Sequence, residues 1–334
     1  MKELFPKEPL LRSSTLSEKS DEARRLIFTD SARSAWRTLL DAFKVRTTGP
    51  RKVLLPAYIG YTDREGSGVF DPVRDTESPF SFYAVDTSLK TAIHELKTHL
   101  ESGDIGVLLV VHWFGFAHVD MNAVSQLCRQ HNVLLVEDCA HVLGPVRMSA
   151  CPLGSIGDAA IYSLHKMYGG SAGGALALNT PSGFALDPRD RKAISDDFAI
   201  PPCPREVMEA LLAVDPSAVA KHRREMYKRT MSGLSRIPGL RPLFPELGNS
   251  TPQTLPVVVE NSLREPLYFA LREQGITLTA LYYRLIPEVT EEQFAQAFEV
   301  SRSILNFPVH QSVPQVAIDE VVNRTSDALA RLSG

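Results

Sequence analysis

FYAVDTSLKTAIHELKTHLESGDIGVLLVVHWFGFAHVDMNAVSQLCRQHNVLLVE, residues 82–137, decides the fold. Short apolar runs at Phe82–Val85, Gly106–Val111 and Val133–Glu137 read as strands. The segments between them, Ser88–Leu100 and Met121–His131, carry apolar residues at helical spacing. Strands that alternate with helices require crossover connections, and crossovers make a mostly parallel sheet covered on both faces. In such a sheet a ligand lies beyond the carboxyl ends of the strands. The residues to inspect are therefore those that follow each strand, among them His112, Asp138 and Ser163–Lys166.

Two more apolar runs, Ala159–Ser163 and Ala175–Leu178, continue the sheet on the C-terminal side. On the N-terminal side the sequence predicts a helix over Ser31–Phe43, with Ala35, Leu39, Leu40 and Phe43 on one face, and a strand over Lys52–Pro56 ended by its proline. Gly60–Asp75 reads as a long loop, and residues 1–25 as a polar arm. Residues 181–206 form a proline-rich, charged connector. Beyond it the pattern predicts a long helix over Arg205–Ser235, a strand over Thr254–Val259, and helices over Leu263–Gln274, Glu291–Leu305 and Pro314–Leu332. The expected organisation is an arm (1–25), a large α/β unit (26–204) and a smaller α+β unit (205–334).

At 334 residues the chain is long enough for about two domains and a core that needs no disulfide or metal staple. Lys+Arg total 36 against 39 Asp+Glu, too even a balance for a general nucleic-acid binder. Met1–Ser20 lacks the apolar run of a signal peptide, and no stretch has the length to span a bilayer. Cys128, Cys139, Cys151 and Cys203 form no CxxC pair and no zinc spacing, so no metal is expected. They read as reduced thiols of a cytoplasmic protein.

Three segments carry chemistry. VLLVEDCA (Val133–Ala140) ends a buried strand in Glu137 and Asp138. Side chains alternate along a strand, so one carboxylate faces a ligand site while the other faces elsewhere. IYSLHKMYGGSAGG (Ile161–Gly174) ends a strand in Ser163 and follows it with His165, Lys166 and a glycine-rich turn. Lys166 is either a surface charge or an amine held ready to form a Schiff base. A free lysine, with a pKa near 10.4, does that poorly at neutral pH unless a pocket desolvates it. TDSARSAW (Thr29–Trp36) opens a helix that Asp30 or Ser31 can cap; its first turn offers free N–H groups for an anion.

In order along the chain come this capped helix, PAY (Pro56–Tyr58), VHWFGFAHVDM (Val111–Met121), VEDCAH (Val136–His141), LGSIGDAAIYSLHK (Leu153–Lys166) and GGALALNT (Gly173–Thr180). The series resembles the DegT/DnrJ/EryC1/StrS family of pyridoxal-phosphate-dependent sugar aminotransferases. The resemblance is dense over residues 29–180 and thinner beyond, where NFPVHQSVPQVAIDEV (Asn306–Val321) is similar to the family's closing segment. It implies the aspartate-aminotransferase type of large domain, with a mostly parallel sheet and a small C-terminal domain.

It implies further that Lys166 is the catalytic lysine that carries the cofactor, and that Asp138 pairs with the pyridine nitrogen. His141 then lies near the ring oxygen. Ser163 donates to the phosphate, and Ser31, Ala32 and Arg33 form the phosphate-binding turn. His112 matches a family histidine and reads more readily as a packed, hydrogen-bonded side chain than as a substrate contact. Tyr282, Tyr283 and Arg284 follow Gly275–Leu281, where relatives place a substrate-facing loop. The partners implied are an amino donor such as glutamate, a keto-sugar carried on a nucleotide, and a second copy of the chain. The sequence departs from the family at four points. Only two residues separate Ser163 from Lys166, fewer than usual. Ala172 replaces a glutamate, and the neighbour-subunit asparagine has no counterpart in 181–206. The slot of the ring-stacking aromatic holds Gly60, leaving Tyr58 or Tyr61 to serve. Two other readings stay open: a deoxysugar dehydratase, which generally has histidine in place of Lys166, and a non-catalytic regulatory member. The 65–71 segment EGSGVFD reads as an active-site or dimer-interface loop.

Overall fold

A computed structural model describes residues 25–46, 51–144, 153–179, 201–260 and 262–333. The arm up to residue 24, Cys151 and most of the 181–206 connector lie outside the described residues.

The large sheet has seven strands in the order β1-β7-β6-β5-β4-β2-β3. They are β1 (Arg25–Thr29), β2 (Lys52–Pro56), β3 (Phe80–Tyr83), β4 (Ile105–Val111), β5 (Leu134–Cys139), β6 (Ala159–Ser163) and β7 (Gly174–Leu178). From β3 to β6 every pairing is parallel; β7 runs antiparallel to both β6 and β1. Every residue of β4, β5, β6 and β7 is buried, as expected of strands covered on both faces. Around the sheet lie α1 (Ala32–Arg46), α2 (Phe70–Asp75), α3 (Ile93–Glu101), α4 (Met121–His131) and the short α5 (Leu164–Tyr168). The ends of α4 follow from two residues. Asp120 Oδ1 accepts the N–H groups of Asn122 and Ala123, and Asn132 leaves the helix in the left-handed region at φ 55°.

The C-terminal part holds α6 (Arg205–Leu212), α7 (Pro216–Leu234), β8 (Leu240–Pro242), β9 (Thr254–Val259), α8 (Arg264–Glu273), α9 (Ala295–Ser303), β10 (Ile304–Pro308) and α10 (Ala317–Ser333). Its sheet runs β10-β9-β8, antiparallel throughout. The long helix read over Arg205–Ser235 is two helices. Asp215 caps the second, accepting from the Ser217 N–H, and Pro216 at its first position has no N–H to donate. The helix read over Glu291–Leu305 covers only its middle, because Ile304 and Leu305 turn into β10 against β9. The 60–75 loop ends in α2. No helix among the described residues is long and apolar enough to cross a membrane.

Candidate functional site

Glu137 and Asp138, adjacent at the end of β5, point in opposite directions. Glu137 faces the 153–157 turn: Oε2 accepts from the Gly154 N–H at 2.7 Å, and Oε1 from the N–H groups of Ile156 (2.8 Å) and Gly157 (2.7 Å). His112 Nε2 lies 2.8 Å from Oε2, and both side chains are fully buried. Burial pushes the Glu137 carboxyl up, but His112 and the glycine N–H groups outweigh it and hold it below the usual range. Cys139 offers a further ligand atom within 4.8 Å of His112 and Glu137. Glu137, however, already has both oxygens occupied by donors.

Asp138 faces the other way, into a cavity of about 970 Å³ beyond the carboxyl ends of the parallel strands. One backbone donor, the Ala140 N–H at 2.8 Å, reaches its Oδ1. Burial raises its carboxyl above the usual range, against the pull of that N–H and the charges of Lys166 and His112. Lys166, on α5 just after β6, lines the same cavity. Burial lowers its amine, opposed by Asp138 and Glu65 and assisted by Arg33. Its Nζ lies 3.4 Å from His141 Nε2. The Phe114 N–H donates to His141 Nδ1 at 3.0 Å, which assigns the imidazole proton to Nε2. Burial, then the charges of Lys166 and His118, keep His141 neutral. The carbonyl of Met167, next to the lysine, accepts from Arg223 (3.0 Å) and Gln311 (3.2 Å).

The start of α1 forms the third wall. Thr29 Oγ1 donates to the Ser31 carbonyl, and Ser31 Oγ accepts the Ser34 N–H at 3.2 Å. Gly174 packs against this turn so closely that a Cβ would lie 2.2 Å from the Ser31 carbonyl carbon. Ser31, Ala32 and Arg33 line the cavity, and no acidic residue stands in the helix's first turn. Arg33 is tied by a 2.6 Å bond to the Glu65 carbonyl. Ser163 also lines the cavity, its Oγ 3.3 Å from His165 Nδ1.

The cavity thus brings together Ser31, Ala32, Arg33, Tyr61, Asp138, His141, Ser163, Lys166 and Tyr283, along with residues 64–69 of the loop singled out in the sequence. Three candidates stand apart from its wall. His112 is buried on Glu137. Arg284 is exposed and paired with Asp63 at 2.7 Å. Tyr58 is buried beneath Tyr282, ring centroids 5.0 Å apart. Sequence reasoning puts Tyr282 on the substrate-facing loop without a role at the cavity, and it misses Arg223 and Gln311, which reach the Met167 carbonyl from the C-terminal part of the chain.

The sequence model of the DegT/DnrJ/EryC1/StrS aminotransferase family matches residues 81–182. A Micromonospora echinospora protein named as an L-glutamine:3-amino-2,3-dideoxy-scyllo-inosose aminotransferase is 40% identical over 79 residues, 23% of this chain and 18% of that protein. The UDP-4-amino-4,6-dideoxy-N-acetyl-beta-L-altrosamine transaminase of Campylobacter jejuni is 36% identical over 66 residues, 20% of this chain and 17% of the relative. These matches span less than a fifth of either relative's length. Among solved structures, the pyridoxal-phosphate form of the sugar aminotransferase Spr1654 from Streptococcus pneumoniae superposes with a TM-score of 0.74 at 17% identity, covering 92% of this chain and 87% of that one. The likeness to the DegT/DnrJ/EryC1/StrS aminotransferase family in sequence is thus confined to residues 81–182, whereas the likeness of fold extends along most of the chain.

Proposed function

We propose that this protein is a pyridoxal-phosphate-dependent aminotransferase that places an amino group on a keto-sugar carried on a nucleotide, with glutamate as donor. Lys166 carries the reading: its amine, lowered by burial, shares one cavity with Asp138 and the N-terminus of α1. The cofactor needs an anchor for its phosphate, an anion at its ring nitrogen and an amine at its aldehyde. The first turn of α1 with Ser31, Ala32, Arg33 and Ser163 suits the phosphate, since helix N–H groups and serine hydroxyls donate to anions. Asp138 suits the ring nitrogen, Lys166 the aldehyde, and His141 presents an Nε2–H to the ring oxygen. When bound, the cofactor supplies an electron sink.

The chain's own residues then hold and move protons. A neutral Lys166 amine takes a proton from the donor's α-carbon and returns one to the acceptor. Neutral His141 donates without competing for that proton. The carbonyl bonds from Arg223 and Gln311 fix the backbone on which Lys166 turns. Tyr283 stands at the acceptor end, with Arg284 outside it at the rim. The Micromonospora relative is named for a cyclitol acceptor and L-glutamine, the Campylobacter one for a UDP-sugar. The acceptor is therefore best sought among six-membered-ring ketones with and without a nucleotide, and the donor tested as both glutamate and glutamine. The second copy of the chain comes from the same resemblance, the division near residue 204 from the change of pattern beyond the proline-rich connector, and the cytoplasmic setting from cysteines that form no CxxC pair.

The test is spectroscopic. Purified protein mixed with pyridoxal phosphate should develop a visible absorbance band that an amino donor bleaches, with release of one keto acid. Lys166→Ala should lose both the band and turnover. A band unchanged in that variant would overturn the assignment.

A further inference from the structure

Tyr282 sits in an unusual place. Its φ is +60°, a left-handed conformation that a bulky side chain rarely adopts. Its ring lines the cavity that holds Lys166 and Asp138. Tyr58 stacks against it from behind at 5.0 Å and 27°, while Phe114 (5.8 Å) and His141 (5.9 Å) meet it edge-on. Tyr58 is buried and does not line the cavity, so the open side of Tyr282 is the side toward the cavity.

The backbone around the ring is clipped in place. The Tyr61 N–H donates to the Arg284 carbonyl (3.0 Å), the Ile286 N–H to the Ile59 carbonyl (3.1 Å), and Gly60 bridges Leu285. Ser301 Oγ bonds the Tyr282 carbonyl at 2.7 Å. Within this clip a Cβ on Gly60 would lie 2.7 Å from Tyr282 Cδ1. The missing side chain at 60 and the ring from 282 thus compete for one space, and the ring has it.

We propose that Tyr282 is a cofactor-binding residue: its ring is the flat wall against which the planar heterocycle of the cofactor lies, supplied by the C-terminal segment because position 60 has no side chain to supply it. This rests on the proposed function and goes beyond it, since it makes cofactor retention depend on docking of the 282–286 segment onto 59–61. A planar heteroaromatic ring gains dispersion and quadrupole attraction from an offset aromatic face. A ring already braced on three sides loses little freedom in providing one.

The experiment measures pyridoxamine phosphate binding by calorimetry, which needs no reaction at Lys166. Tyr282→Phe should bind within about twofold of the unchanged protein, because the face is kept. Tyr282→Leu, similar in bulk but without a face, should bind at least about tenfold more weakly while the ligand-free unfolding midpoint holds. Gly60→Phe alone should bind poorly from collision with Tyr282. Combined with Tyr282→Gly, which suits the positive φ, it should recover most of the binding. Equal binding by the Leu and Phe variants overturns the inference, as does a Phe variant as weak as Leu, which would assign the effect to the hydroxyl. If the unchanged protein binds no pyridoxamine phosphate, the proposed function falls first and takes this inference with it.

Discussion

The two faces of the sheet at the end of β5 carry neighbouring carboxylates with opposite fates. Glu137, on the inner face, has three backbone N–H donors and an imidazole, and burial loses to them. Asp138, on the cavity face, has one backbone donor, and burial wins. The same chemical group one residue apart is a structural knot on one side and an unspent charge on the other. The number of donors built around each separates them, since a carboxylate is held ionised in a low-dielectric place by the hydrogen bonds it receives. A carboxylate left short of donors there is one that a cationic ligand group can satisfy.

The hardest blow to this contrast is to remove each group in turn. Glu137→Ala strands three backbone N–H groups and His112 in the interior, so it should cost about 3–5 kcal/mol, read as a shift in the urea unfolding curve. Asp138→Asn leaves the Ala140 bond an acceptor and should stay within about 1 kcal/mol of the parent. Its turnover should nonetheless fall on the order of 10²–10³-fold, because the charge acts where charge develops. If the two variants exchange these phenotypes, the assignment of faces is wrong.

A third carboxylate sharpens the donor-count argument. Asp158 is buried at the opposite end of β5, and its Oδ2 accepts from the Leu135 N–H at 2.8 Å. Burial carries it from 3.8 up to about 6, against the pull of that N–H and Arg129. The folded state therefore holds a proton between pH 4 and 6 that the unfolded state has released. Stability falls as pH rises through that window and levels off above it. Asp158→Asn should remove the slope and add about 2 kcal/mol at pH 7, provided its amide oxygen keeps the Leu135 bond. Unfolding at pH 4, 5, 6 and 7 measures it; an unchanged slope would break the argument.

Much of this was open to sequence reading. Strands β2, β4, β5 and β6 and helix α4 follow from local apolar runs and from Asp120 and Asn132 at the helix ends. Lys166, Asp138 and His141 are legible because they stand at the carboxyl end of a buried strand or within three residues beyond it, where a parallel sheet puts its ligands. What escaped depends on distant partners. β1, which falls between the polar arm and the segment that opens the first helix, exists by pairing with β7, and β10 by pairing with β9; neither run is longer than a helix turn or two of apolar pattern. The break at Asp215–Pro216 has a local mark, a cap and a first-turn proline, inside an apolar pattern that otherwise predicts one continuous helix. Tyr282 is marked in the sequence only as part of a substrate-facing loop; the space its ring fills is set by Gly60, across the chain.

A subtler effect follows the same contrast to Lys166. The Asp138 charge raises the Lys166 amine against burial, which lowers it. Neutralising Asp138 should therefore drop the amine further and move Lys166 labelling by an acylating reagent to lower pH. Lys166 reactivity against pH, followed by mass spectrometry in the ligand-free protein, shows this shift in Asp138→Asn. The same reagent on Glu137→Gln should leave the midpoint where it was, because Lys166 senses no charge from that face.

The smallest effect belongs to the rim. Arg284 pairs with Asp63 in the open, its side chain 51% exposed and that of Asp63 77%. An exposed pair is screened by salt and pays side-chain entropy to hold its geometry, so Arg284→Ala should leave the unfolding midpoint unchanged. A guanidinium committed to Asp63 must also leave that partner before it holds a substrate anion, and this offsets much of what the new contact gives. KM for an anionic acceptor should rise by no more than about threefold, and less at 0.5 M salt than at low salt. A tenfold rise that persists in salt would mean that the arginine turns inward and grips the substrate in a desolvated place, so that the rim belongs to the chemical side of the cavity after all.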